Sequence, residues 1–173
     1  MAKTIPAGWG HGAREGVVVE FQLADGSVWV GNFEPGSAGV DDVRANPFGS
    51  QVLLTASGQL YSVNPTTQEA VRLAPGVFGV WELSSPHRVL FNNQDLAFVC
   101  VGRDGVAWAT SRISWDGFRN LRLSDETLQG EAWSFEDRWL PFRVNLADGV
   151  TVGGSYSGPE MTFTYDDFDH GLT

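Results

Sequence analysis

The stretch Gly130-Glu131-Ala132-Trp133-Ser134-Phe135-Glu136-Asp137-Arg138-Trp139-Leu140-Pro141 holds the densest grouping of recognition chemistry in this chain. Two tryptophans flank a turn that carries Glu136, Asp137 and Arg138. Large rings beside arginine and carboxylates are the side chains that dominate binding energy at protein interfaces. The same residues also suit an ordinary hairpin in which Trp133 and Trp139 form a cross-strand pair, worth several tenths of a kcal/mol. Alternation adds a distinction: Leu140, Phe142, Val144 and Leu146 make one apolar face, so Trp139 starts on the opposite face as a candidate for exposure.

A second cluster, Asp166-Asp167-Phe168-Asp169-His170, has carboxylates at a spacing that a hard cation accepts. It lacks the Gly-centred loop of an EF-hand, so it reads as a solvated acidic tail and no metal is expected. Glu131, Glu136 and Asp137 could face one another on adjacent strands, as glycoside cleavage requires of two acids roughly 5–10 Å apart. Any acidic β protein offers as much. His11, His87 and His170 fall far apart, in segments read as irregular, with no sign of the convergence that zinc needs. The chain has no Gly-x-Ser-x-Gly elbow, no phosphate loop ending in Gly-Lys and no His-Glu-x-x-His. The glycines at 149, 153 and 154 follow a turn in a β pattern rather than opening a helix, so they are no dinucleotide fingerprint. The expectation is no catalytic residue and no cofactor. Cys100, the only cysteine, lies in the apolar run Leu96–Val101 and reads as a small buried hydrophobe.

These residues have to be positioned by strands. Asp-Gly occurs four times, at Asp25-Gly26, Asp104-Gly105, Asp116-Gly117 and Asp148-Gly149, each between apolar, β-prone runs. Such pairs suit two-residue type I′ hairpin loops, where both central residues take positive φ. The run Val17–Leu23 alternates apolar and polar residues with period two, the pattern of a half-buried strand. Hairpins are expected for 51–55 with 60–63 across Ser57-Gly58, and for 69–73 with 77–83 across Pro75-Gly76. Residues 89–101, 106–113, 118–123 and 128–135 continue the series, and 139–146 with 150–156 close it. One short helical turn could sit near Val40 to Ala45, and Met161 onward starts as an edge strand.

The resulting fold is an all-β, single-domain antiparallel meander of about 10–12 strands. It is curled and barrel-like or folded as a two-sheet sandwich, which leaves fewer raw edges. A small propeller-like arrangement of hairpins is the alternative. It rests on the likeness of residues 19–26 to 142–149, a looser echo at 101–108, and the 44-residue spacing of Gly105 and Gly149. By this reading residues 1–15 are an irregular arm, 16–165 the domain and 166–173 an acidic tail.

Charge narrows the partners. The formal net charge is −10, and residues 125–173 hold 10 acidic against 2 basic side chains. That field disfavours nucleic acid and anionic membrane surfaces and favours a basic protein. The N-terminal Met1–Pro6 shows no apolar stretch behind its single charge, and nowhere do 18 apolar residues run together, so a cytoplasmic setting is expected. Ten arginines against one lysine fit the coding bias of a GC-rich bacterial genome.

The expected function is therefore a non-enzymatic binding protein of immunity or inhibitor type. It would dock a basic partner through Trp133, Glu136, Asp137, Arg138 and Trp139 together with Asp166, Asp167 and Asp169. The alternative is a small-ligand β-barrel with Trp29, Trp81 and Trp108 lining an aromatic cavity; an enzyme of unrecognised type is a further one.

Overall fold

A computed structural model describes residues 3–5, 15–84, 86–161, 163 and 172. The described chain is all-β, without a helix, and divides into two compact units, residues 1–77 and 78–173. Its strands form separate open sheets rather than a closed barrel, and 15 short strands stand where about a dozen were expected.

The first unit contains β1 (Lys3–Ile5), β2 (Val17–Gln22), β3 (Val28–Phe33), β4 (Asp42–Ala45), β5 (Val52–Ala56), β6 (Gln59–Asn64) and β7 (Glu69–Ala74). β2 and β3 pair antiparallel, and β1 adds to the other edge of β3 in parallel. Part of the supposed irregular arm is thus a strand, with Ile5 buried opposite Phe33. β4 to β7 form a four-stranded meander. Residues 42–45 pair with β5 instead of making a helical turn, because their side chains alternate between half-buried and exposed, as a pleated strand requires. The core is aromatic: Phe21 stacks on its cross-strand partner Trp29 at 4.3 Å, and Phe33 meets Tyr61 edge-on at 5.3 Å. The polar ends of the buried rings are satisfied, with Trp29 Nε1 donating to Pro65 O at 2.8 Å and Tyr61 OH to Glu34 O at 2.8 Å.

The second unit begins within β8 (Val77–Ser84) and continues with β9 (His87–Asn93), β10 (Ala97–Gly102) and β11 (Gly105–Ala109), a four-stranded meander. β12 (Phe118–Leu123), β13 (Thr127–Ser134), β14 (Arg138–Asn145) and β15 (Thr151–Gly153) form another. The hairpin expected across Pro75-Gly76 is absent, since β7 pairs with β6 and β8 with β9. Leu90, Phe98, Cys100, Trp108, Leu128, Phe142 and Val144 belong to one buried cluster, against which Trp81 and Phe118 pack. Phe98, Phe118 and Phe142 pack as a triangle of rings, with Phe98 4.9 Å from Phe118 and 5.9 Å from Phe142, and Phe118 5.0 Å from Phe142. Trp108 donates its indole N–H to Leu146 O at 3.0 Å. Trp29 and Trp108 are therefore core residues, each 8% exposed.

The Asp-Gly turns differ from the type I′ expectation in one respect. Only the glycines have positive φ, +83° at Gly26, +121° at Gly105, +92° at Gly117 and +76° at Gly149. At Asp25-Gly26 the outer pair is Leu23 and Ser27, closing a three-residue loop whose last residue is the left-handed glycine. Asp25 accepts from both the backbone N–H and the hydroxyl of Ser27, which holds its carboxyl below the usual range. Asp116-Gly117 closes no hairpin; it lies in the connection from β11 to β12. The two-residue loop with both φ positive is Ser57-Gly58, between Ala56 and Gln59.

Candidate functional site

β13 and β14 are in continuous register from Thr127 opposite Asn145 to Ser134 opposite Arg138. Pleating sends Leu128, Ala132, Phe142 and Val144 into the core and turns Trp133, Glu131, Trp139 and Pro141 to the other face. Trp133 and Trp139 are direct cross-strand partners, both half-buried. The turn between the strands is Phe135-Glu136-Asp137; Asp137 has φ +53° and its N–H donates to Ser134 O at 3.0 Å. Aspartate is among the few residues with a side chain that accept this region readily. Glu136 and Arg138 form an ion pair, and Trp133 Nε1 reaches Asp137 Oδ1 at 3.4 Å. All five hairpin residues expected from the sequence thus share one end of one hairpin. Asp166, Asp167 and Asp169 lie outside the described residues.

Outward from Trp139 the charges are organised. The Arg119 guanidinium sits 4.5 Å from the Trp139 ring centroid and donates through Nε to Glu131 Oε2 at 2.9 Å. Asn120 Nδ2 donates to the same oxygen at 2.7 Å. These bonds, Arg119's first, hold the Glu131 carboxyl below its ordinary range. An exposed cation–ring contact of this kind is worth about 0.5–1 kcal/mol.

The largest feature of this face could not be read from the hairpin alone. Phe135, at the turn, is 69% exposed and stands 4.4 Å from the Trp115 ring and 5.7 Å from Trp133. Tyr156 packs on Trp115 at 4.5 Å, and the Arg112 guanidinium lies 4.7 Å from Tyr156 and 5.4 Å from Trp115. Four rings and one guanidinium from three separate segments meet here. Backbone bonds hold them: Trp115 N donates to Trp133 O at 3.2 Å, Trp133 N to Gly117 O at 3.2 Å, and the Ser155 hydroxyl to Trp133 O. Arg112 donates to Ser114 O at 2.8 Å and to Trp115 O at 2.6 Å.

Asp95 anchors this arrangement from the β9–β10 turn. Its carbonyl accepts Gly117 N at 3.1 Å, and its carboxylate accepts Phe118 N at 3.3 Å and Asn92 Nδ2 at 2.6 Å. Burial pushes this carboxyl above the usual aspartate range, the hydrogen bonds from Asn92 and Phe118 opposing it and the nearby Asp116 adding to it. Sequence reading passed over Arg112, Trp115, Tyr156 and Asp95. The only signal was the aromatic and arginine content of the segments around residues 112–119 and 156, which says nothing about who meets whom.

Chemically, the face offers flat apolar rings, ordered guanidinium groups and carboxylates at the rim. That suits recognition of another surface. No family model, curated protein or solved structure matches this chain.

Proposed function

We propose that this chain is a non-enzymatic binding protein that docks a basic protein partner on the β13–β14 turn and the rings beside it. The observation that carries the reading is Phe135: a ring 69% exposed at the turn, backed by Trp115, Trp133 and Tyr156. A preordered aromatic group whose apolar area is still open to water gains most when a partner covers it. Asp116, Glu136 and Asp137 are exposed beside the rings, and residues 125–173 hold 10 acidic side chains against 2 basic ones. Arg119 and Arg138 are paired with Glu131 and Glu136, and Arg112, stacked on Tyr156, is outnumbered by Asp116 and Asp137. Complementary charge would speed encounter with a cationic protein, and the rings would set how long it stays. An immunity- or inhibitor-type protein that neutralises a cationic toxin or nuclease in a bacterial cytoplasm has these requirements.

The test is affinity capture from cells of origin with the wild-type chain, Phe135→Ala and Glu136→Gln/Asp137→Asn. Recovery of a basic protein that is lost with Phe135→Ala and weakened by salt supports docking at this face. Recovery of no partner, or of one indifferent to both variants and to salt, overturns it.

A further inference from the structure

The far end of the same hairpin carries a different feature. Thr127 opposite Asn145 and Ser134 opposite Arg138 are seven residue steps apart, so the two ends are separated by about 24 Å. Beside the Thr127 end lies a cleft of about 750 Å³. That volume falls in the range of small-molecule sites. Leu83 and Leu146 are buried and Leu123 is 38% exposed, giving the cleft an aliphatic part. The ionisable side chains among its described lining residues are Glu82, Asp125 and Glu126, all carboxylates. Asp125 and Glu126 make no ion pair or side-chain hydrogen bond among the described residues. Two basic side chains border the cleft. His87 Nδ1 stands 3.7 Å from Glu82, and Arg88 Nη1 donates to Ala147 O at 3.2 Å; this one guanidinium is outnumbered by the three lining carboxylates.

We propose that this cleft binds a guanidinium or ammonium group carried on an aliphatic stem. The carboxylates would take the charge, by paired N–H···O bonds in the guanidinium case. Leu83, Leu123 and Leu146 would cover the methylenes, in the way lysine and arginine stems bury themselves while the head group stays polar. The ligand is a free amine or guanidine, or the side chain of an arginine on a peptide; both present the same chemistry to the cleft. This site does not rest on docking at Phe135, because the two lie at opposite ends of the hairpin.

The experiment is an NMR titration of the purified, isotope-labelled chain with agmatine and, separately, with a blocked Gly-Arg-Gly peptide. Saturable shifts at residues 82–84, 123–127 and 145–147 are expected at millimolar concentrations or below, with Asp125→Asn/Glu126→Gln weakening affinity about ten-fold. Leu123→Ser should weaken it further, and Phe135→Ala should leave it unchanged. Tighter binding of agmatine identifies a free small molecule as the ligand class, and tighter binding of the peptide identifies a presented side chain. Absence of saturable shifts up to about 10 mM, or equal shifts in the double variant, overturns the proposal. So do shifts confined to the Phe135 end. Both exchanged carboxylates are exposed at a turn, so the variant keeps its fold. The readout needs no captured partner, so its failure and the failure of docking at Phe135 are separate results.

Discussion

The indole of Trp115 and the ring of Phe135 stand 4.4 Å apart, centroid to centroid, although one lies in the β11–β12 connection and the other in the β13–β14 turn. The hydrogen bond from Trp115 N to Trp133 O fixes that approach, because it lays the connection alongside the end of β13. Trp115 is half-buried while Phe135 is largely open to water, so one ring anchors and the other presents.

Phe135→Ala should therefore separate binding from stability. The ring is already 69% exposed, and the loss in unfolding free energy should stay within about 1 kcal/mol, mostly the Trp115 contact. Partner affinity should fall at least about ten-fold, as for an interface hot spot. Chemical denaturation and a binding titration check the two halves; a large stability loss would show that Phe135 is a structural residue.

Gly149→Ala should cost far more than Gly26→Ala. Both glycines have positive φ, +76° and +83°, which an alanine tolerates at about 1–2 kcal/mol. At Gly26 an added methyl meets nothing within 4 Å, whereas at Gly149 it would stand 2.6 Å from Trp108 Cε3. Trp108 is buried and held by its bond to Leu146 O, so it cannot swing aside, and overpacking brings the total to about 2–4 kcal/mol. Urea denaturation of the two variants side by side gives the comparison.

Asp95 should make the fold slightly more stable in acid, against the usual trend for aspartates. Its carboxyl is raised in the folded chain by burial, so the folded state holds the proton more tightly than the unfolded one. The stabilising contribution is complete below the unfolded pKa near 3.8 and is lost as pH rises through the higher folded value. Asp95→Asn copies the neutral form and removes this dependence, while other groups cancel between the two proteins. The stability of wild type relative to Asp95→Asn should thus improve as pH is lowered from neutrality; a difference independent of pH would contradict the assignment.

Cys100 should resist thiol reagents in the folded protein. Its side chain is fully buried, and burial pushes the thiol up to about 11, with Arg88 opposing only in part. At pH 8 almost no thiolate exists and none is reachable. Labelling should proceed only as fast as the second unit opens and become rapid in denaturant. Prompt labelling of native protein would show a looser core than this packing implies.

Much of the strand pattern was legible locally. Alternation across Val17–Gln22 and Arg138–Asn145 marks faces that the sheets do bury and expose, and Ser57-Gly58 closes the hairpin its flanking strands suggested. Trp133 facing Trp139 followed from turn position and pleat alone. By contrast, nothing near residues 3–5 announces a strand, because β1 exists only through the open edge of β3. Pro75-Gly76 looks like any other turn, yet the chain leaves one sheet there and enters the next. A turn residue specifies how the backbone bends, and not whether the following strand returns to the same partner.

The sequence by itself determined the class of fold, most strand positions, the uneven charge and the pairing at the hairpin end, because pleat period, turn conformation and charge are properties of a few neighbouring residues. Tertiary structure alone decided that Asp116-Gly117 docks on Asp95, that Trp115 and Tyr156 join Phe135, and that Glu82 shares a cleft with Asp125 and Glu126. Those encounters span tens of residues, and they depend on which sheet edges and core rings find each other once apolar area leaves water.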